Sequence, residues 1–163
     1  MPSPFETDSS AGRKRNSSKA IIMRDGRILL TVNSDDQGDF YLLPGGGQKH
    51  GETLHQTLKR EVLEETGWVV TVEELLLVRD YIGANHEFAQ WESDAHQTEF
   101  MFEARPVRHL GNPLLQDAWQ TGMEWVQINR LDEIKLYPSV LKKILPELLS
   151  GTYEGPIYLG DVN

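Results

Sequence analysis

The sequence predicts an α+β domain, and three features carry that expectation. Asp25-Gly26 separates two apolar-rich segments, a strong short-range signal for a β-hairpin. Leu54, Leu58 and Val62 recur at i, i+4 and i+8 and give one buried stripe to a helix that Gly67 ends. A second amphipathic helix closes the chain, with Val140, Leu141, Ile144, Leu145 and Leu148 on its apolar side.

In chain order, residues 1–18 read as a flexible tail, rich in serine and charge and without periodicity. Within it, Arg13, Lys14 and Arg15 read first as solvated basic residues. Residues 19–163 then form a single domain. Lys19 to Arg24 and Arg27 to Asn33 are the hairpin strands, and Phe40 to Leu43 is a short strand leading to Pro44 and a glycine run. That run cannot be helical; its backbone groups suit a metal or phosphate oxygens. Beyond the first helix, 68–72 and 75–82 read as two short strands or one bent strand. Gly83 to Ala95 is a long polar connection of the kind that tends to carry function. In it, Phe88 and Trp91 either pack inward or stack on a planar ligand. Alternation over His96 to Val107 marks a strand, and Met123 to Ile128 another. The closing helix spans Pro138 to Leu149 and is stopped by Gly151, with Pro146 free to bend it. The last residues add an extended segment.

Composition narrows the function. The chain has 163 residues and a formal net charge of −9, which argues against general nucleic-acid binding. It has no cysteine, which suits a reducing cytoplasm and removes thiolate metal sites. No stretch approaches the ~20 apolar residues of a membrane helix.

The informative stretch is Gly45 to Trp68. Glu61, Glu64 and Glu65 stand at i, i+3 and i+4 on one helix face, where like charges repel by a few tenths of a kcal/mol per pair. A hard divalent cation, Mg²⁺ or Mn²⁺, would relieve that repulsion. Arg60 lies four residues before Glu64 and can hold it from the side. Taken alone, such acids are more often the solvated face of a helix.

The whole stretch, however, resembles the Nudix box: Gly, five residues, Glu, seven residues, Arg-Glu, a bulky apolar residue, any residue, Glu-Glu, any residue, Gly, bulky apolar. Gly46, Glu52, Arg60, Glu61, Val62, Glu64, Glu65, Gly67 and Trp68 fill those places. Trp68 departs from the usual aliphatic residue, which touches packing more than chemistry. The resemblance implies an α/β/α sandwich, a mixed β-sheet flanked by the box helix and the C-terminal helix. It implies metal-dependent hydrolysis of a diphosphate bond in a nucleoside diphosphate linked to another moiety, such as ADP-ribose, a nucleotide sugar or a nucleoside triphosphate. Glu61, Glu64 and Glu65 would bind Mg²⁺ or Mn²⁺. Glu52 and Arg60 would orient helix and loop, and Gly45, Gly46 and Gly47 would face the phosphates. Candidates for the general base are Glu64, Glu99, Asp117 and Glu124; Glu99 reads otherwise as a solvent-facing acid on an edge strand. The partner expected is a phosphorylated small-molecule nucleotide, with a homodimer as the family's frequent assembly. The rival expectation is a non-catalytic nucleotide-sensing module on the same fold.

Overall fold

A computed structural model describes residues 14–112 and 119–163. Asp117 lies outside them. The α+β class is as expected from the sequence. In chain order the elements are β1 (Lys14–Ile21), β2 (Met23–Arg24), β3 (Arg27–Asp35), β4 (Gly38–Leu42), β5 (Gly45–Gly47), α1 (Leu54–Thr66) and β6 (Trp68–Ile82). They continue with α2 (Ala89–Glu92), β7 (His96–His109), β8 (Gln120–Gln127), β9 (Leu136–Tyr137), α3 (Leu141–Ser150) and β10 (Tyr158–Asp161).

Among the described residues the strands form two mixed sheets. The first runs β10-β6-β7-β1-β5; the second runs β2-β3-β4-β9, with β8 paired to β3. The hairpin turns where expected, and Asp25 and Gly26 both take positive φ (52° and 72°), the backbone that a two-residue turn demands. The first strand begins at Lys14, inside the stretch read as tail. Parallel pairing with β7, from Lys14↔His96 to Ile21↔Glu103, extends it. Such pairing overrides the poor strand propensity of Lys-Arg-Asn-Ser-Ser.

Helix α1 has a capping box. Thr53 Oγ1 accepts from the Gln56 amide at 3.1 Å, and the Thr53 amide donates to Gln56 Oε1 at 2.9 Å. Gly67 closes the helix in the left-handed region (φ 75°), and its amide donates to the Leu63 carbonyl. Leu58 and Val62 pack on Ala20, Ile22, Val70, Phe102 and Ala104. The other side of the first sheet gives Ile21, Leu77 and Met101 to a larger core with Leu30, Leu43, Leu136 and the α3 residues Leu141, Ile144 and Leu145. Helix, strands and helix thus stack in layers. The segments 68–72 and 75–82 are one strand, bent by register shifts against β7 between Val69 and Leu77. The terminal segment becomes β10, parallel to β6.

Candidate active site

The glycine run is itself a strand. Gly45, Gly46 and Gly47 pair antiparallel with Lys19, Ser18 and Ser17 at the edge of the first sheet. Successive residues of a strand face opposite sides, so the run looks two ways. A Cβ on Gly46 would stand 2.6 Å from Cδ of Glu61, so this side faces α1 and its acids. A Cβ on Gly47 would stand 2.9 Å from Nη1 of Arg15, so this side faces away from α1. The backbone alone separates the acids from what lies behind.

On the α1 side, Arg60 gathers the acids. Its Nε donates to Glu52 Oε1 at 2.7 Å, Nη2 to Glu52 Oε2 at 3.1 Å and to the Gly47 carbonyl at 3.2 Å. Its Nη1 donates to both Glu61 Oε1 (2.8 Å) and Glu64 Oε2 (3.3 Å). The Arg60 hydrogen bonds hold the Glu52 carboxyl down at about 2, helped by the Thr57 hydroxyl at 2.7 Å. Hydrogen bonding to Glu52, then Glu61, drives the Arg60 guanidinium upward. Glu65 is 6% exposed, and its Oε2 accepts from the Gly45 amide at 3.0 Å.

Glu61 and Glu64 therefore meet at one cationic nitrogen, and Glu65 binds the start of the glycine strand. Among the described residues no three acidic or histidine side chains are gathered as a cage for a metal ion. The donor chemistry nevertheless fits a hard divalent cation. Two carboxylates already share one positive nitrogen, oxygen is the only donor type on offer from them, and bare Gly46 makes room for the Glu61 carboxyl.

Behind the glycine strand lies a cavity of about 610 Å³ between the two sheets. That volume falls within the ~300–1,000 Å³ usual for small-molecule sites. Arg15 and Lys19 line its glycine end; Arg15 Nε donates to Gln97 Oε1 at 2.9 Å, and Lys19 Nζ reaches the Gly45 carbonyl at 3.5 Å. Ser17, on the same face of β1, has a wholly buried hydroxyl with no partner among the described residues. Phe40, Phe88, Tyr137, Trp91 and Trp119 line the cavity further out. Phe88 packs on Phe40 and Tyr137, with ring centroids at 5.1 and 5.4 Å, whereas Trp91 is 65% exposed at the wall. Of the two aromatics of the long connection, Phe88 packs inward and Trp91 stands exposed.

Glu99 is not a solvent-facing acid on an edge strand. β7 lies inside the first sheet, and Glu99 is 4% exposed. Burial opposes its charge, but Arg79, whose Nε donates to Glu99 Oε2 at 2.6 Å, and Lys19 hold the carboxyl below its usual range. Glu124 sits on β8, exposed, accepting from the Tyr41 hydroxyl at 3.0 Å. Sequence reasoning missed Arg15, Lys19 and Arg79 as cavity residues. No local pattern marks the first two: residues 15–19 are polar throughout, with no apolar alternation to reveal a strand face.

The NUDIX domain family profile matches residues 13–148. The chain is 40% identical over 68 residues to the nucleoside triphosphatase NudI of Escherichia coli O139:H28; the match covers 40% of this chain and 45% of that protein. The chain thus spans less than half the length of the curated relatives it matches. Its structure is similar to a NUDIX hydrolase from Nitrosomonas europaea, with TM-score 0.70, 20% identity, and 86% and 91% of the two chains covered. It is also similar to an ADP-ribose pyrophosphatase from Streptococcus suis, with TM-score 0.58, 17% identity, and 90% and 98% covered. At these identities the structural likeness speaks for the fold.

Proposed function

This chain belongs to the NUDIX domain family, and from that premise we propose that it hydrolyses, with Mg²⁺ or Mn²⁺, a diphosphate bond in a nucleoside diphosphate linked to another moiety. One observation carries the reading. Glu61 and Glu64 converge on Arg60 Nη1 beside a side-chain-free glycine strand, and Arg15 and Lys19, which touch that strand, line a cavity of nucleotide size.

A diphosphate resists water because its anionic oxygens repel nucleophiles. Glu61 and Glu64, with Glu65 next to them in the helix, would hold the cation. When bound, the cation neutralises the phosphate oxygens and lowers the pKa of water. The chain's own groups do the rest. Arg60 aims the carboxylates of Glu61 and Glu64 at one point. Glu52 locks the guanidinium from the opposite side and ties it to the loop before α1. Glu65 pins the Gly45 amide, which fixes the glycine strand against the helix. Arg15 and Lys19 supply positive charge at the glycine end of the cavity in a protein of net charge −9. The proton acceptor for water is one of the α1 acids, Glu64 first, because Glu99 is committed to Arg79.

Relatives and structural neighbours are named for nucleoside triphosphate and ADP-ribose chemistry. What those names share is the phosphoric anhydride bond, so the bond is proposed here, with ADP-ribose, nucleotide sugars and nucleoside triphosphates as the panel to screen. The chain is proposed to work in the cytoplasm, with a homodimer as its candidate assembly. Among the described residues no helix is long and apolar enough to cross a membrane.

Phosphate release from that panel, coupled to a phosphatase, tests the reading. Activity should need Mg²⁺ or Mn²⁺ and vanish with a chelator. Glu64→Gln should cost about two to four powers of ten in kcat, the range seen for a lost acid–base group. Turnover within a few-fold of wild type would refute the assignment. A wild-type protein that binds the panel without hydrolysis would instead be a sensing module.

A further inference from the structure

The connection between β6 and β7 walls the outer part of the cavity, and its anchors lie in a distant part of the sequence. Gly83 and Ala95 close it into a loop, with the Gly83 amide donating to the Ala95 carbonyl at 2.8 Å. The loop carries Phe88, Trp91 and Glu92 into the cavity lining. Glu92 accepts from the Tyr81 hydroxyl at 2.7 Å, and Phe88 packs on Phe40 and Tyr137.

Its first half is held by one side chain of β10. Asp161 Oδ1 accepts from the Ile82 amide at 3.1 Å and lies 2.5 Å from His86 Nε2, while Oδ2 accepts from Asn85 Nδ2 at 2.8 Å. Its neighbours add to the hold: the Val162 carbonyl accepts from Arg79 Nη1 at 2.7 Å, and Asn163 Nδ2 donates to Glu87. Asp161 itself does not line the cavity. A single carboxylate thus serves three donors spaced along Ile82 to His86, the stretch just before the aromatic wall.

We propose that Asp161 is a positioning residue: by clasping Ile82, Asn85 and His86 it fixes the Phe88–Trp91 wall, and through it the affinity for the planar ring of a nucleotide. Trp91 supports this occupant. Trp91 is 65% exposed, at a cavity that Arg15 and Lys19 also line. A ligand with a phosphate and a flat ring matches that lining, since any base offers a π-face to a stacking aromatic. The proposal rests on reading the cavity as a nucleotide site.

The test uses the full chain as wild type, Asp161→Ala and Asp161→Asn. Asparagine keeps one acceptor oxygen for the Ile82 amide and can present its NH₂ to Asn85, so it is the rescue variant. Hydrogen exchange should accelerate at least about ten-fold across residues 82–92 in Asp161→Ala and much less in Asp161→Asn, with strands β3 and β7 unchanged. Calorimetric titration with ADP, GDP, UDP and CDP should show about five- to ten-fold weaker binding in Asp161→Ala, partly restored in Asp161→Asn, a loss smaller than full removal of a stacking contact. Inorganic pyrophosphate, which has no ring, should bind both within two-fold of wild type. On any substrate the phosphate-release screen identifies, KM should rise by the same factor with kcat within two-fold.

Unchanged exchange in Asp161→Ala overturns the proposal. So does faster exchange without loss of nucleotide affinity, an equal loss for pyrophosphate, or a wild type that binds none of the four nucleotides. The hydrolase reading fails separately. A chain that hydrolyses nothing, yet loses nucleotide affinity in Asp161→Ala, keeps this inference and sinks that one.

Discussion

Arg60 grips Glu52 with two nitrogens, Nε at 2.7 Å from Oε1 and Nη2 at 3.1 Å from Oε2. The pair ties helix α1 to the loop that follows the glycine strand, and the same guanidinium still reaches Glu61, Glu64 and the Gly47 carbonyl. Removing it leaves three carboxylates without their shared cation. Arg60→Ala should destabilise the fold by about 1–3 kcal/mol, the usual effect of losing charge-assisted hydrogen bonds. Arg60→Lys should recover less than half of that, since one ammonium cannot serve two forks. Urea unfolding, read as a fall in midpoint at constant m, checks both. Full recovery in the lysine variant would show that charge alone suffices.

The same pair gives a pH signature. Glu52 titrates at about 2 in the folded chain against an ordinary value of 4.5, first through Arg60 and then through Thr57. A depressed carboxyl contributes stability that is complete above the unfolded value and is lost as pH falls toward the folded one. The melting-temperature gap between wild type and Glu52→Gln should therefore be constant from pH 7 to about 5 and close between 4.5 and 2. A gap that stays flat down to pH 2 would mean that Glu52 acts as a neutral spacer.

Gly46 and Gly47 separate two mechanisms by one position. Alanine at 46 would place its methyl 2.6 to 2.8 Å from all three atoms of the Glu61 carboxyl, which must leave Arg60 to make room. Alanine at 47 would meet the tip of Arg15, a flexible end that can swing aside. Gly46→Ala should lower turnover by about 10- to 100-fold, the effect of displacing a catalytic group by an ångström. Gly47→Ala should stay within a few-fold. Steady-state kinetics on the screened substrate decides, and equal effects at both positions would contradict the two-faced strand.

The site's legibility in the sequence followed the range of its contacts. Helix α1, its Gly67 stop and the Asp25-Gly26 turn rest on neighbours a few residues apart, so spacing and turn chemistry were enough. The family likeness carried the acids of α1. Strand β1 was lost from Lys14 to Ser18 because its partner, β7, lies about eighty residues away, and nothing local marks Ser17 and Ser18 as buried. The aromatic wall was half legible: the long connection and its Trp91 stood out, but its clasp by Asp161 depends on β10 folding back along β6. Glu99 was misread for the same reason, since only the register of β6 against β7 sets it opposite Arg79.

That register leads to the last expectation. Arg79 and Glu99 face each other across β6 and β7, both almost wholly buried, with Arg79 also 5.0 Å above the Tyr81 ring and bonded to the Val162 carbonyl. Burial alone would push the Glu99 carboxyl up; Arg79 first, with Lys19, reverses it. Arg79→Met strands a buried carboxylate, and breaking such a pair costs about 3–5 kcal/mol. The double variant Arg79→Met with Glu99→Leu removes both charges and should regain most of that loss, because buried pairs replaced by apolar groups are often neutral. The sign with pH also differs. In Arg79→Met the penalty should be largest near pH 7 and ease as the medium acidifies and Glu99 takes up a proton. Chemical denaturation of the three proteins at pH 5 and 7 gives the coupling between the two residues directly. A double variant no more stable than Arg79→Met would place the role of Arg79 in its contacts with Tyr81 and Val162 instead.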